Sequence, residues 1–379
     1  MQKILIAPDS FKGCLSSSEV AIAIQQGVLE VFPQCQTVKI PVADGGEGTC
    51  DTLVTALGGK KVELTVHDPL MRPIRAVYGI LNDGYTAVIE LAAAAGLTLL
   101  HPSELNPMQT STYGVGEMIK HALLRGCSKF LIGIGGSATN DAGIGVLRAL
   151  GYEFLNRRGE GVSEGGQSLA AITAIDDSKA MPQLKDAFFS VACDVNNPFS
   201  GFNGAAHVYA SQKGANIKMI EQLDEGMEIF RQLLLQQKQI DLNNIPGAGA
   251  AGGMGGALVA FLNANLKPGI QVVLEALNFD AHLNGADLVI TGEGKLDYQT
   301  TMGKAPSGIL KMALQRNVPV IAIGGSIEDP EHLNKSGFLS VYTITQGPVT
   351  MEEAMDKEGA QKNIRSIIIQ LMRSFKYFS

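Results

Sequence analysis

Residues 130–150 read FLIGI, GGSATNDAG and IGVLRAL in succession: a short apolar run, a turn rich in glycine and hydroxyl groups, and a helical pattern. A strand that enters a helix through such a turn is typical of a parallel α/β sheet. Glycines let the backbone pass close to a ligand, and a helix start offers unpaired N–H groups and partial positive charge. We therefore predict an anion site, with candidate ligands Gly135, Gly136, Ser137, Ala138, Thr139, Asn140 and Asp141. A capped turn without a ligand is the alternative.

Runs rich in Ile and Val alternate with helical patterns on both sides of this turn, which indicates βα units. One such run, residues 38–42, is the second predicted strand. Residues 61–91 differ, because they form β-rich segments with a hairpin signal at Asn82-Asp83-Gly84. The doubly wound pattern returns after about residue 285.

These patterns predict the α/β class with two α/β domains. We expect a Rossmann-like doubly wound domain built from both chain ends, residues 1–60 plus 285–379, and an inserted mixed α/β domain, residues 61–284. A length of 379 residues fits two domains better than one.

The composition of the chain argues against nucleic acid and membrane as binding partners. A net charge of −7, without a cluster of basic and aromatic residues, argues against a nucleic-acid surface. The most apolar stretches are shorter than the ~20 residues that span a bilayer, so no membrane partner is expected. Five cysteines without a C-x-x-C pair fit reduced thiols. With no signal-peptide pattern, a cytoplasmic location is predicted.

Two loops follow the first two predicted strands, where α/β sheets bind ligands. In the first, Ser10 and Lys12 are candidate substrate ligands, and Lys12 can pair with a carboxylate; a solvent-facing lysine is the alternative. The second offers carboxylates and open backbone suited to binding hydroxyl groups, and three glycines with no evident packing purpose. Its candidate substrate ligands are Asp44, Gly45, Gly46 and Glu47. The alternative is that Glu47 lies in the first turn of a helix.

Two further polar segments follow apolar runs. Asp194 is a lone carboxylate suited to a general base or a magnesium ligand, or else to starting a turn before Pro198. Residues 291–304, TGEGKLDYQTTMGK, are predicted to form a loop that holds two carboxylates, two lysines and several hydroxyls. That set is what phosphoryl transfer requires.

Several motifs of other enzyme classes are missing from the chain or occur only in a weak form. The chain has no G-x-x-x-x-G-K-[ST] P-loop and no H-R-D or D-F-G of protein kinases. A G-x-G-x-x-G at residues 247–252 follows Asn-Ile-Pro rather than a strand, so it is weak evidence for a dinucleotide. Six histidines form no H-x-x-x-H pair, which leaves a histidine metal site or a Ser-His-Asp hydrolase without support.

The loops in combination resemble the type I glycerate kinase family, and the matching segments span nearly the whole chain in order. These segments are APDSFKGCLSS (7–17), PVADGGEGT (41–49), IGIGGSATNDAGIG (132–145), ACDVNNPFSG (192–201), GAGAAGGMGGAL (247–258) and TGEGKLDYQTTMGKAP (291–306). The resemblance implies ATP-dependent phosphorylation of D-glycerate in glyoxylate or sugar-acid breakdown, with the 2-phosphate favoured. It leaves a monomer or a homodimer open.

Phosphoryl transfer then suggests roles for the candidates. Residues 135–141 would cradle the ATP phosphates, together with Lys304. Lys295 or Lys304 would neutralise the transferring group, and Mg²⁺ would bind Asp297 or Glu293. Asp194 or Asp297 would accept the hydroxyl proton, while Lys12, Asp44 and Glu47 would hold glycerate. Two rivals remain at this stage: a nicotinamide-dependent oxidoreductase of a small hydroxy acid, and a non-catalytic protein that binds a small acid.

Overall fold

The computed structural model describes residues 1–378, and the chain forms two compact units. Unit 1 comprises Met1–Asp44 and Val273–Ser379, and unit 2 comprises Gly45–Val272. The unit bounds therefore fall before residue 45 and after residue 272. The sequence predicts domain boundaries at 60/61 and 284/285. Whether the segments between these boundaries fold independently stays a prediction.

The strands of both units are short to medium in length. Their bounds are β1 Lys3–Pro8, β2 Gln36–Lys39, β3 Gly59–His67, β4 Pro73–Leu81, β5 Thr86–Glu90, β6 Lys129–Gly133, β7 Glu153–Leu155, β8 Ala174–Asp176, β9 Phe188–Ala192, β10 Asn265–Lys267, β11 Leu288–Leu296, β12 Val320–Ile327 and β13 Ser340–Thr343.

Helices follow most of the strands. The α-helices are α1 Ser17–Val31, α2 Thr49–Leu57, α3 Ala92–Ala95, α4 Tyr113–Leu124, α5 Ile144–Ala149, α6 Ala205–Tyr209, α7 Ile217–Lys238, α8 Met254–Leu262, α9 Gly269–Ala276, α10 Phe279–Leu283, α11 Ala305–Gln315, α12 Pro330–Lys335, α13 Met351–Ala354 and α14 Lys357–Phe378. Short 3₁₀ helices cover Leu97–Leu99, Pro102–Glu104, Gly166–Ala171, Pro182–Asp186, Ser211–Lys213, Leu242–Asn244 and Tyr298–Thr301.

Unit 1 contains a five-stranded parallel sheet in the order β13-β12-β11-β1-β2. The chain leaves β1 toward one edge, through α1 to β2, and leaves β11 toward the other edge, through α11 to β12. The strand order therefore reverses between β1 and β11. In open parallel sheets, such a topological switch point is where ligands bind, at the carboxyl ends of the strands.

One face of this sheet packs against α1 and α14. Ile4, Ile290 and Ile323 project into that core because side chains along a strand alternate between faces. A capping box opens α1: the Ser16 hydroxyl accepts the Glu19 backbone N–H, and the Glu19 carboxylate accepts the Ser16 backbone N–H. Helix α11 contacts the same central strands, β1, β11 and β12.

Unit 2 contains a six-stranded mixed sheet in the order β10-β9-β6-β5-β4-β3. Strands β5, β6, β9 and β10 are parallel, whereas β3, β4 and β5 form an antiparallel meander. The hairpin predicted at Asn82-Asp83-Gly84 joins β4 to β5. The predicted α/β class with mixed and parallel sheets is confirmed.

Two predicted elements have different bounds in the structure. The second strand is Gln36–Lys39 rather than 38–42. Beyond Lys39 the chain still donates to β1, from the Ile40 N–H to the Ile6 carbonyl at 2.8 Å and from the Val42 N–H to the Pro8 carbonyl at 3.1 Å. Residues 291–296 are not a loop but the second half of β11. The glycine-rich end of β12 supplies backbone partners for them, with Glu293 opposite Gly324 and Lys295 opposite Ser326.

Within residues 1–378, no helix is both long enough and apolar enough to cross a bilayer.

The contact between α1 and α14 depends on Gly27. A Cβ atom at this position would lie 2.8 Å from Ile368 Cβ and 3.0 Å from the Arg365 carbonyl oxygen. We expect Gly27→Leu to lower the free energy of unfolding by about 1–3 kcal/mol, because overpacking forces the two helices apart. Urea denaturation checks this, with exposed Gln26→Leu as the control. Equal stability of the two variants would contradict the close packing.

Candidate functional site

The carboxyl ends of β1 and β11 meet in unit 1. Ala7 pairs with Thr291 and Pro8 with Gly292, and the Asp9 backbone N–H then donates to the Gly292 carbonyl at 2.8 Å. The parallel pairing therefore places the loop after β1 beside the end of β11. Residues nearly 290 positions apart in the sequence share one edge of the sheet because of it.

A cluster of acidic and lysine side chains surrounds the end of β11. Lys304 Nζ lies 3.6 Å from Glu293 Oε2 and 3.8 Å from Asp297 Oδ1. Lys295 Nζ lies 3.6 Å from Asp297 Oδ2 and 2.8 Å from Glu328 Oε1. The structure thus brings together the predicted residues Glu293, Lys295, Asp297 and Lys304. A cation between two carboxylates is an arrangement that can hold a metal-bound phosphate chain.

Thr300, which the sequence prediction did not assign, contacts both acidic residues. Its fully buried hydroxyl donates to Glu293 Oε1 and accepts the Asp297 backbone N–H at 3.0 Å. Asp297 Oδ1 in turn accepts the Gln299 backbone N–H at 2.9 Å and caps the 3₁₀ turn Tyr298–Thr301. Burial raises the pKa of Glu293, while the Thr300 hydroxyl and the charge of Lys304 oppose that rise.

Lys12 and Asp44 form an ion pair at the same edge, with Lys12 Nζ 3.3 Å from Asp44 Oδ2. The carboxylate of Asp44 raises the pKa of Lys12. Ser10 lies in the same loop, and its backbone N–H donates to Asp9 Oδ1 at 2.6 Å. Ser10, Lys12 and Asp44 therefore line one cavity, and their role in binding a substrate stays a prediction.

Asp9 is a second residue that the sequence prediction did not assign. It is only 6% exposed, and burial, followed more weakly by the charge of Asp44, raises its pKa to about 6 against the hydrogen bond from Ser10. Buried carboxylates with a pKa near neutrality are concentrated at functional sites. Its position at the carboxyl end of the first strand was the sequence signal for it.

These residues line one end of a cavity of about 560 Å³ in unit 1. The charged end is formed by Asp9, Lys12, Asp44, Glu293, Lys295 and Lys304. The other walls come from the ends of β12 and β13 and from α13 and α14. A cavity of this size is typical of a site for a cofactor or substrate of nucleotide size.

The donor set fits magnesium in part. Among residues 1–378, no three His, Cys, Asp or Glu side chains converge as a ready metal site. Mg²⁺, however, is usually held by one or two carboxylates together with substrate phosphates and waters. Glu293 and Asp297, on either side of Lys304, supply two carboxylates of that kind.

In unit 2, the turn at 135–143 has an exposed and a buried half. Gly135 and Gly136 are exposed, whereas Thr139, Asn140 and Asp141 are fully buried. Asp141 accepts backbone N–H groups from Gly143 at 3.0 Å and from Gly145 at 3.3 Å. The backbone N–H groups of Gly143 and Gly145, which we predicted to face a ligand at the helix start, therefore donate to the Asp141 carboxylate instead. Phosphate binding by this turn stays a prediction.

Lys213 supports the same turn from within unit 2 and carried no sequence signal. Its fully buried ammonium donates to Ser137 Oγ at 2.8 Å and to the Thr139 carbonyl at 2.7 Å. Burial lowers its pKa to about 7, and the charge of Asp141 opposes this. A lone lysine in a Ser-Gln-Lys-Gly segment gives no hint of such burial.

The loop containing Gly45, Gly46 and Glu47 lies in unit 2. Gly45 does have a packing purpose, contrary to the prediction: it has φ +88°, and a Cβ there would lie 2.5 Å from Gly269 Cα. Glu47 is exposed, and Gly48, with φ +86°, precedes α2. The substrate role of these residues stays a prediction.

Asp194, also in unit 2, is exposed and follows β9. Its Oδ1 accepts the backbone N–H of Gly269, the first residue of α9, at 2.8 Å. The carboxylate thus has a structural partner at a helix start. Its role as a general base stays a prediction.

Comparison with known proteins assigns this chain to a class of enzymes. A profile of the Glycerate kinase family matches residues 4–376. A glycerate kinase of Bacillus cereus is 46% identical over 364 residues, which cover 96% of this chain and 95% of the relative. A glycerate 2-kinase of Escherichia coli is 45% identical over 363 residues, covering 96% and 95%.

A crystal structure assigned to glycerate kinase 2 of Salmonella typhimurium LT2 has a similar fold. The TM-score is 0.91 at 42% identity, and the match covers 99% of this chain and 98% of the other. Together these matches define an enzyme that transfers a phosphoryl group to an alcohol. The chain belongs to the glycerate kinase family.

The raised pKa of Asp9 links its ionisation to stability. Its pKa is 3.8 without the protein environment and about 6 in the folded state, so the native state holds the proton more tightly. The contribution to stability is therefore present below about pH 4 and is lost as pH rises to about 6. Asp9→Asn cannot ionise. We expect it to exceed the wild type in free energy of unfolding by up to about 3 kcal/mol at pH 8, with the difference vanishing near pH 4.

Urea denaturation between pH 4 and pH 8 measures this difference, with exposed Asp186→Asn as the control. A stability difference that does not depend on pH would show that Asp9 ionises normally in the folded protein.

Proposed function

We propose that the enzyme transfers the γ-phosphoryl group of ATP to the 2-hydroxyl of D-glycerate, giving ADP and 2-phospho-D-glycerate. Family membership supports the glycerate substrate, and the name of the Escherichia coli relative supports the 2-position. The observation that carries the proposal is Lys304 between the carboxylates of Glu293 and Asp297 at the topological switch point. Phosphoryl transfer relies on positioning and on neutralising charge, and this cluster provides both.

The side chains take complementary roles in this proposal. Glu293 and Asp297 would hold Mg²⁺, which when bound neutralises phosphate charge and orients the phosphate chain. Lys304 would bind the transferring phosphoryl oxygens, and Lys295 would add a second positive charge. No side chain caps the first turn of α11, which begins directly after Lys304, so its dipole favours an anion there as well.

The acceptor would be held by residues after β1. Lys12 would pair with the glycerate carboxylate and give up part of its contact with Asp44. The Asp44 carboxylate would then accept a hydrogen bond from a hydroxyl group of glycerate. We also retain Gly45, Gly46 and Glu47 as proposed substrate ligands, and residues 135–141 as proposed ligands of the phosphates. Five free thiols, from Cys14, Cys35, Cys50, Cys127 and Cys193, are consistent with the proposed cytoplasmic location.

³¹P NMR of the purified enzyme with Mg-ATP and D-glycerate tests the proposal. The expected result is ADP together with the phosphomonoester signal of 2-phosphoglycerate. A 3-phosphate signal would keep the kinase and overturn the position of transfer. Unchanged ATP, with enzyme shown to be folded by a cooperative thermal transition, would overturn ATP-dependent phosphorylation of D-glycerate.

Removing the charge of Lys304 tests the site. We expect Lys304→Met to lower kcat by about 10²- to 10³-fold, the usual cost of losing one preorganised charge that stabilises a transition state. Steady-state kinetics measure it, and exposed Lys311→Met on the same helix is the matched control. A Lys304→Met enzyme within threefold of wild-type kcat would place the chemistry elsewhere.

The proton acceptor is proposed to be Asp194 or Asp297, and two variants distinguish them. Loss of a correctly placed base typically lowers the rate by about 10²- to 10⁴-fold. We expect Asp297→Asn to lower kcat in either case, because Asp297 is also proposed to hold Mg²⁺. The assignment therefore depends on Asp194→Asn, which shows the loss only if Asp194 is the base. Near-full kcat in Asp194→Asn would restrict Asp194 to its contact with the Gly269 N–H.

A further inference from the structure

The cavity of unit 1 is larger than its charged end requires. Its volume is about 560 Å³. Pockets of 300 to 1,000 Å³, in round terms, enclose ligands of drug or nucleotide size, whereas a three-carbon acid fills only a small part of such a space. The occupant therefore has an anionic part for the charged end and a larger part for the rest.

Apolar side chains make up much of the rest of the cavity, together with the polar side chains of Ser326, Thr345 and Glu353. Phe11, Ile344 and Ala360 are each 4% exposed and form buried walls. Val349 and Met355 also line it, and their side chains are 44% and 39% exposed to solvent. A flat apolar ligand that covers these two side chains removes that surface from water.

Gly13 shows that Met355 is seated against the loop after β1. Gly13 has φ +79°, and a Cβ there would lie 2.8 Å from Met355 Cε. Only glycine both adopts this backbone and admits the methionine. A thioether held beside a cavity is suited to contact with an aromatic ring.

Asn363 is one of the polar groups that lie among these apolar side chains. It lies on α14, is half-buried and lines the cavity. In the part of the chain that the structure describes, the side-chain amide of Asn363 makes no hydrogen bond to another residue. A carboxamide offers one acceptor and a donor side by side, which is the pattern that pairs with the amino group and ring nitrogen of adenine.

We propose that the apolar end of this cavity binds the adenine base of the phosphoryl donor, with Met355 and Val349 against the ring and Asn363 at its polar edge. This inference rests on the proposed function, because it takes ATP as the donor. The base lies toward α13 and α14, and the triphosphate runs to Lys304 and Lys295 at the end of β11. The residues proposed to bind the base all belong to unit 1.

Binding of ADP, measured by calorimetry in the absence of D-glycerate, tests the inference separately from catalysis. Ala354 is exposed and lines the cavity, so Ala354→Trp fills the space without disturbing a core. We expect it to weaken ADP binding at least roughly tenfold, since the base loses its pocket. Should this variant fail to fold, Val349→Trp blocks the same space from the loop before α13.

Asn363→Leu tests recognition of the base. We expect ADP binding to weaken by roughly two- to tenfold, the value of a hydrogen bond in a partly buried site, and the preference for ADP over GDP to shrink. Gln361→Leu removes an amide from the same helix outside the cavity and is expected to leave both unchanged. Equal loss in both variants would attribute the effect to α14 rather than to base recognition, and would overturn the role of Asn363.

Catalysis separates failure of the inference from failure of the proposed function. In the Ala354→Trp enzyme, we expect the KM for ATP to rise while the KM for D-glycerate changes little. Production of phosphoglycerate with an unchanged KM for ATP in this variant would overturn the inference and leave the proposed function standing. The opposite case is an enzyme that does not phosphorylate D-glycerate but whose ADP binding is weakened by Ala354→Trp. That result would support the inference and contradict the proposal that D-glycerate is the acceptor.

Discussion

The parallel pairing of β1 with β11 is the constraint on which the candidate site depends. It joins the first strand of the chain to one that begins at Leu288, and the register places Pro8 opposite Gly292. Because β1 and β11 lead to opposite edges of the sheet, the two loops that follow them diverge and leave a crevice. Asp9 and Lys12 enter this crevice from one strand, and Glu293 and Lys295 from the other.

Burying the carboxylates of this crevice in their charged form costs free energy in the absence of a ligand. Glu293 and Asp9 are largely buried, and burial raises the pKa of both. Carboxylates are kept in such positions when a cation or a hydrogen-bond donor compensates them, which Lys304 and Thr300 do for Glu293. A site that gathers charges of both signs in this way is consistent with the proposed binding of ATP and Mg²⁺.

In unit 2, carboxylates accept backbone N–H groups at the starts of helices. Asp141 satisfies the start of α5, Glu90 accepts the Cys50 backbone N–H at 2.8 Å at the start of α2, and Asp194 accepts that of Gly269. Each carboxylate stands where the sequence shows a polar residue after an apolar strand. The same sequence signal therefore marks a helix cap in unit 2 and a charged cleft in unit 1, and only the contacts distinguish them.

Much of the fold could be predicted from local pattern. Helix α1 begins at a Ser/Glu capping box, the β4–β5 hairpin follows Asn-Asp-Gly, and β1 is an apolar run. The strand β11 was only half predicted. Its glycine-rich end resembles a loop until the backbone of β12 is available to pair with it. Local propensity does not encode a partner strand that lies 30 residues away.

The sequence alone determined the class of fold, the two groups of polar residues that follow β1 and β11, and the resemblance to the glycerate kinase family. Tertiary structure decided which of those residues meet: Lys304 with Glu293 and Asp297, Lys12 with Asp44, and Lys213 with Ser137. It also decided the burial of Asp9 and the apolar walls beside Asn363. The physical reason is that burial, pKa and cavity shape are set by contacts between residues distant in the chain, whereas caps, turns and strand periodicity are set by neighbours.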